Sequence, residues 1–211
     1  MDIASWLSLL AVCCLGAMSP GPSAAVIIQI SSQKGRQHGI TAAVAHGLGV
    51  GCYALMACLG LALVITSNPW LFNGLKWLGA AFLMYLGLRA LGLNFKRTSA
   101  ADHHASKIDI DPPNHSLAGT ARTAFLIAIL NPKVALFFLA LFSQFVRSDA
   151  GMGEKLLMAA TATGVDILWF CLVASAVTTA SVAKRFTGYG KLLEKVFGVL
   201  IISVALKVAV G

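Results

Sequence analysis

Six long apolar stretches alternate with polar breaks along the chain. A helix that crosses a bilayer needs about 20 largely apolar residues, because the hydrocarbon core is about 30 Å thick and each helical residue rises about 1.5 Å. The stretches cover residues 4–31, 40–66, 70–91, 121–146, 155–180 and 190–210. Gly, Pro, Asn and Ser punctuate most of the breaks, as is typical of turns. The pattern predicts an all-α integral membrane protein with six transmembrane helices.

One break is much longer than the others. Residues 92–119 are polar, contain two adjacent prolines and show no apolar periodicity, which is typical of a mobile loop. We therefore divide the chain into two three-helix halves and a connecting loop. The predicted boundaries are 1–91 for the first half, 92–120 for the loop and 121–211 for the second half.

Composition excludes the soluble classes of protein. Apolar residues make up 58% of the chain and charged residues only 11%, whereas a typical soluble domain is about 25% charged. The formal net charge of +8 alone would suggest nucleic acid as a partner. Charges this sparse cannot cover both a basic groove and a soluble surface, so we predict a lipid bilayer as the surroundings and no nucleic-acid partner.

The positive charges predict how the chain is oriented. Eleven of the 16 Lys and Arg residues lie on or beside the first, third and fifth connections: Lys34, Arg36, Arg89, Lys96, Arg97, Lys107, Arg122, Lys184, Arg185, Lys191 and Lys195. Four lie on the opposite side: Lys76, Arg147, Lys155 and Lys207. Cytoplasmic connections carry the excess of Lys and Arg. The long loop is therefore predicted in the cytoplasm and both termini outside.

Proline motifs interrupt the first and the fourth apolar stretch at corresponding positions. The first motif is Ser19-Pro20-Gly21-Pro22 and the second is Asn131-Pro132-Lys133. Proline lacks an N–H and clashes with the carbonyl four residues back, so each motif should break its helix. A break at membrane depth survives only inside protein or beside a water-lined cavity. The alternative is a plain kink with no binding role.

Corresponding breaks in two halves indicate an inverted repeat. Because each half has three spans, the second copy must sit upside down relative to the first. Inverted repeats with interrupted helices are typical of transporters that bind their substrate near the membrane midplane. Helices 1 and 4 are thus predicted to be broken where they meet a substrate.

Three ionisable residues lie inside predicted spans. Lys133 and Asp166 are near mid-span, and His46 is expected to be shallower, about two turns from the cytoplasmic end of its helix. A charge at the bilayer centre costs about 2.5–3.5 kcal/mol or more and normally has a partner. Lys133 and Asp166 are candidates for such a pair, either for transport or as a structural ion pair. His46 is either a packing residue or a proton relay.

Small residues in the second span predict a close helix contact. Gly47 and Gly51 have the four-residue spacing that lets another membrane helix approach closely, so we interpret them as packing residues. The five cysteines have no zinc-ligand spacing, and the loop histidines His103, His104 and His115 form only a weak metal motif. We therefore predict no metal site and no cofactor.

Several of these motifs occur together in one known family. They are Ser19-Pro20-Gly21-Pro22, Lys34-Gly35 with Gly39, Gly47 with Gly51, and Ile129-Leu130-Asn131-Pro132-Lys133. With these motifs, its length and its long central loop, the whole chain resembles the lysine exporter (LysE/RhtB) family of amino-acid efflux proteins. The resemblance implies a bacterial inner-membrane exporter of amino acids or derivatives that is driven by protons, and it leaves a homodimer open.

The resemblance also implies where transport takes place. It assigns the following residues to the transport region: Pro20, Gly21, Pro22, Asn131, Pro132, Lys133 and Asp166. His46 is not carried over from the family motif. Because Asp166 is the only deep carboxylate, a neutral amino acid such as threonine, homoserine or leucine is favoured over a cationic one.

Other classes of membrane protein stay open at this point. A thiol–disulfide redox carrier would need two cysteines that can meet, and Cys13 and Cys14 lie upstream of the first break only. An inorganic cation exporter would need more oxygen or thiolate ligands than Asp166 supplies. An intramembrane serine protease would need a nucleophilic serine beside a histidine such as His46, and no Gly-x-Ser-x-Gly motif is present. We therefore predict that the chain is not an enzyme.

Overall fold

The computed structural model describes most of the chain. The described residues are 1–19, 21–92, 116–147 and 149–177, together with 195–196, 198–199, 201–203 and 205–206 near the C-terminus. Pro20, most of the predicted loop with its three histidines, and most of the predicted sixth span lie outside the described residues.

All described elements are helices. In chain order they are α1 (Ile3–Met18), α2 (Pro22–Lys34), α3 (Arg36–Ser67), α4 (Pro69–Ala90), α5 (Leu117–Leu130), α6 (Pro132–Phe145) and α7 (Met152–Val177). No strand occurs in this part of the chain. The all-α class predicted from the sequence is confirmed.

Helix starts follow from capping residues and prolines. Pro22, Pro69 and Pro132 each stand at the beginning of a helix, where the missing N–H would have no intrahelical partner in any case. The side chains of Asn68 and Asn131 each accept a hydrogen bond from a backbone N–H in the first turn. The same prolines that would break a helix therefore define where the next one begins.

The lengths of the helices agree with membrane spans. Helices α3, α4 and α7 are each long and apolar enough to cross a bilayer, and this count covers only the described residues. Two further spans arise if each bent pair counts as one. The axes of α1 and α2 differ by 60°, and those of α5 and α6 by 57°. The first and fourth predicted spans are thus helix pairs, with bends at the two proline motifs.

Two predicted connections are shorter than expected. The polar stretch around Lys34 and Arg36 reduces to Gly35, which alone separates α2 from α3. Its φ of 87° lies in the left-handed region that glycine adopts without steric cost. Asn68 alone likewise separates α3 from α4. The polar residues on either side of Gly35 and Asn68 therefore belong to the helices. A single residue between two helices is sufficient to change the direction of the chain.

The long helices α3 and α7 form the centre of the bundle. Each bent pair packs against the long helix of the other half: α1 and α2 against α7, and α5 and α6 against α3. Where α3 and α7 meet, a Cβ on Gly47 would overlap the side chain of Ile167, and a Cβ on Gly51 would lie 2.5 Å from Thr163 Oγ1. Glycine at both positions therefore permits the close approach of these helices.

Two apolar clusters fill the interior. The larger one surrounds Phe138, Leu141 and Phe142 on α6, and the smaller one surrounds Ile27 and Ile30 on α2. The outer surface is also apolar, as shown by its exposed leucines, tryptophans and other large side chains. Apolar surface on both the inside and the outside is what a bundle surrounded by lipid requires.

Candidate functional site

A cavity with an apolar wall and several polar side chains lies between the two apolar clusters. Its volume is about 60 Å³, which is room for a few water molecules. Its lining comes from α1, α2, α3, α6, α7 and both helix breaks. The polar side chains in the lining are those of Ser19, Ser23, His46, Asn131, Lys133 and Asp166.

The second break supplies a positive charge to the cavity. Lys133 is the second residue of α6, so its side chain leaves the helix beside the N-terminal backbone amides. Its Nζ donates a hydrogen bond to Ser19 Oγ over 3.0 Å. Because Ser19 belongs to the first break, this bond joins the two interruptions across the cavity.

A second hydrogen bond also joins the breaks. Asn131 Oδ1 accepts from the backbone N–H of Lys133 over 2.9 Å, and Asn131 Nδ2 donates to Ser23 Oγ over 3.1 Å. Both Asn131 and Ser23 are buried. Burial makes these bonds important, since an unsatisfied amide in an apolar interior costs about 1–3 kcal/mol.

The first break supplies space rather than charge. A Cβ on Gly21 would lie 3.1 Å from Lys133 Nζ, which is tighter than an ordinary van der Waals contact. Pro22 begins α2, and Gly21 caps it without any side-chain hydrogen bond. The glycine therefore leaves room for the ammonium group of the opposite half.

A histidine–aspartate pair lies on the side of the cavity formed by α3 and α7. His46 Nδ1 is 2.8 Å from Asp166 Oδ2, and both residues are buried. Asp166 Oδ2 can accept a hydrogen bond when Nδ1 of His46 carries the hydrogen. In the neutral ring, Nε2 then has a lone pair. Nε2 is buried and has no hydrogen-bond partner among the described residues. The imidazole also makes an edge contact with the ring of Phe170.

His46 lies further along its helix than the sequence predicted. It lies ten residues after the first residue of α3, or about 15 Å along the helix axis, because α3 begins at Arg36 rather than near residue 40. Asp166 lies eleven residues before the last residue of α7, or about 16 Å. The 2.8 Å contact places both residues at the same level of the bundle.

The predicted pairing of Lys133 with Asp166 stays a prediction. Both side chains line the same cavity, as expected from their similar depth. The structure records His46 as a partner of Asp166 and Ser19 as a partner of Lys133. Ser19 and Ser23, which flank the two prolines of the first motif, were not singled out from the sequence. Their positions next to those prolines are the signal that could have identified them.

The rest of the lining is apolar. Val50, Val134, Phe137, Phe138 and Ala162 line the cavity alongside the polar groups. Within the described ranges, no group of three or more His, Cys, Asp or Glu side chains could hold a metal ion. The arrangement therefore offers one cation, one carboxylate and an apolar wall.

These features define a multi-pass helical membrane protein with a polar cavity between two broken helices. Residues 14–211 match the family model described as LysE type translocator. The chain belongs to the LysE family of translocators. Its membership confirms the resemblance drawn from the proline and glycine motifs.

Relatives of known sequence include both uncharacterized and functionally named proteins. An uncharacterized membrane protein of Pseudomonas aeruginosa is 37% identical over 60% of this chain and 57% of its own length. One from Bacillus subtilis is 22% identical over 96% of this chain and 97% of its own length. The leucine efflux protein of Salmonella typhimurium is 27% identical over 90% of this chain and 87% of its own length. No solved structure matches the chain.

Proposed function

We propose that this translocator exports neutral α-amino acids from the cytoplasm in exchange for protons. The observation that carries the proposal is one cavity that holds Lys133 and Asp166 between two broken helices. A zwitterion has one carboxylate and one ammonium, and the cavity offers one partner of opposite charge for each. The leucine efflux proteins among the relatives support export as the direction and an amino acid as the cargo.

The substrate carboxylate binds at the break side of the cavity. Lys133 supplies a full positive charge there, and α2 and α6 both begin beside it, at Pro22 and Pro132. The N-terminus of a helix carries a partial positive charge of about half a unit, and discontinuous helices in transporters use it to hold carboxylates. Ser19 positions the ammonium of Lys133 between the two breaks.

The substrate ammonium binds at the side formed by α3 and α7. Asp166 is the carboxylate on that side, and it is the one acidic side chain among the described lining residues. A second substrate charge, as on lysine, would find no acidic partner in that lining. The apolar wall that includes Val50 and Phe137 favours an uncharged side chain instead, and the cavity of about 60 Å³ must widen by movement of the surrounding helices to admit it.

The two halves, 1–91 and 121–211, act as an inverted repeat around this site. The contacts of α1 and α2 with α7, and of α5 and α6 with α3, support this arrangement. We place the protein in the bacterial inner membrane, with the loop 92–120 in the cytoplasm and both termini outside, as the distribution of Lys and Arg favours. A homodimer is compatible with this proposal but not required by it.

Export is tested in cells and in vesicles. Overexpression should confer resistance to toxic analogues of neutral amino acids and lower the matching intracellular pool. Purified protein in proteoliposomes should move L-leucine, L-threonine or L-homoserine outward when the pH gradient is inward. Asp166→Asn should abolish this flux although the protein still inserts, because the ammonium loses its charged partner. Asp149→Asn, which affects an exposed pair with Arg147 outside the cavity, is the matched control.

Contrary outcomes are equally clear. Unchanged pools for every amino acid would contradict export, and wild-type flux in Asp166→Asn would contradict the role of this carboxylate. The redox and cation-export alternatives have no supporting observation. The cysteine among the described cavity-lining residues is Cys13, and a dithiol relay needs two.

A further inference from the structure

One buried nitrogen, on a residue that lines the cavity, has no hydrogen-bond partner among the described residues. Nε2 of His46 has no hydrogen bond within the described structure, and the residue is 2% exposed. Neighbouring polar groups of the cavity do have protein partners, including Asn131 Nδ2, Lys133 Nζ and Asp166 Oδ2. A buried polar atom without a partner is uncommon and costs about 1–3 kcal/mol, so a partner that is bound during only part of the transport cycle would account for this nitrogen.

The contact with Asp166 determines what this nitrogen can bind. With Nδ1 donating to Oδ2, the neutral ring presents a lone pair at Nε2. A lone pair there can accept a hydrogen bond from an ammonium group, or it can take up a proton. It cannot do both, because the protonated ring presents N–H at Nε2 and a positive charge that repels ammonium.

We propose that Nε2 of His46 is the position for which the ammonium of the exported amino acid and the transported proton compete. This inference rests on the proposed function and specifies how its two fluxes are coupled. When the amino acid enters from the cytoplasm, the proton on Nε2 leaves to the cytoplasm, and the ammonium of the amino acid donates hydrogen bonds to Asp166 and to the lone pair of Nε2. After the amino acid departs outside, a proton from that side occupies Nε2 for the return.

The charges of the cavity determine the stoichiometry of this exchange. The groups that line it and can carry charge or titrate are Asp166 on α7, Lys133 on α6, Cys13 on α1 and His46 itself. The positive charge of Lys133 and the negative charge of Asp166 cancel. When a zwitterion is bound and the imidazole is neutral, the cavity therefore carries no net charge. The returning state carries one positive charge. Each amino acid exported therefore brings in one proton and one positive charge.

Proton release on binding tests the competition directly. L-leucine, L-threonine and L-homoserine are added to the purified full chain in weakly buffered detergent with a pH indicator. Wild type should release up to one proton per amino acid bound, and its apparent Kd should rise as the pH falls from 8 to 5, by at most about tenfold per pH unit. Imidazole is the side chain that ordinarily exchanges protons in this range.

Two variants separate this role from a structural one. His46→Gln keeps a hydrogen-bond acceptor but cannot take up a proton, so it should bind with a Kd that does not depend on pH. It should also retain exchange of labelled for unlabelled amino acid and lose flux driven by a pH gradient. His38→Gln is the matched control, because His38 lies on the same helix outside the cavity lining and contacts Thr120. It should behave as wild type in all three measurements.

The outcomes distinguish this inference from the proposed function. If wild type neither binds nor moves any of the three amino acids, the proposed function fails and the inference fails with it. If wild type binds or exports one of them without proton release and with a pH-independent Kd, only the inference is overturned. Proton release that persists in His46→Gln also overturns it. If His46→Gln does not fold, His46→Asn replaces it in the same measurements. Proton release by wild type and its Kd across pH 5 to 8 still test the inference.

Discussion

The two helix breaks share a backbone plan but differ in their chemistry. Both bend a helix pair by close to 60°, and both place a proline at the start of the second helix. The second break contributes a capping amide from Asn131 and a cation from Lys133. The first contributes hydroxyls and Gly21, which has no side chain.

This difference shows how two breaks with a similar backbone geometry can contribute different groups to one cavity. Two charged breaks facing each other would place like charges in one small cavity, and two glycine breaks would leave it without a charge. Here the glycine of one half makes room for the ammonium of the other, 3.1 Å from where its Cβ would lie. The two breaks therefore share a backbone geometry and complement each other in their side chains.

The largest effect is expected from removing the charge of the second break. Lys133→Ala should abolish export while the protein still inserts, because the substrate carboxylate loses its cation and Ser19 loses its donor. Proteoliposome flux of L-leucine, L-threonine and L-homoserine is the measurement. Lys76→Ala on α4, outside the cavity lining, is the control. Wild-type flux in Lys133→Ala would show that the second break does not supply a charge that transport requires.

A smaller effect is expected from filling the space in the first break. Gly21→Ala should reduce export several-fold, mainly through a higher KM, since Lys133 Nζ must shift by a few tenths of an ångström. Gly60→Ala is the control, because a Cβ there would meet nothing within 4 Å. If both variants transport equally well, the glycine is not needed for the approach of Lys133.

A change in stability is expected where the two breaks are joined by Asn131. Asn131→Ala removes both the helix cap and the bond to Ser23, and loss of a cap costs about 1 kcal/mol. For a chain of this size, that corresponds to a decrease in Tm of about 2–4 °C. Ser23→Ala removes only the bond between the breaks, so it should cost less. Thermal unfolding in detergent measures both, and equal losses would contradict a separate contribution from the cap.

The smallest effect is expected from replacing the cysteines. Replacing all five cysteines with alanine should leave export measurable and insensitive to oxidants, because no disulfide is present among them. Flux assays with and without a thiol oxidant provide the test. Loss of export in this variant, with restoration by Cys13 and Cys14 together, would instead favour a redox carrier.

The breaks could be predicted from the sequence because they depend on local chemistry. Proline lacks the N–H that an uninterrupted helix needs, so Pro22 and Pro132 indicate bends whatever surrounds them. The partner of Asp166 could not be predicted from the sequence. Several ionisable groups lie at a similar depth, and the packing of the helices determines which of them contacts Asp166. His46 was expected to be shallow, since the polar residues around Arg36 suggested a loop where the helix already begins.

The single-residue joint at Gly35 has a mechanical consequence. One residue spans about 3.8 Å between neighbouring Cα atoms, so no slack separates α2 from α3. A tilt that moves the start of α2 away from Lys133 should therefore displace the start of the helix that carries His46. We expect the Lys133 side and the His46 side of the cavity to move together for this reason.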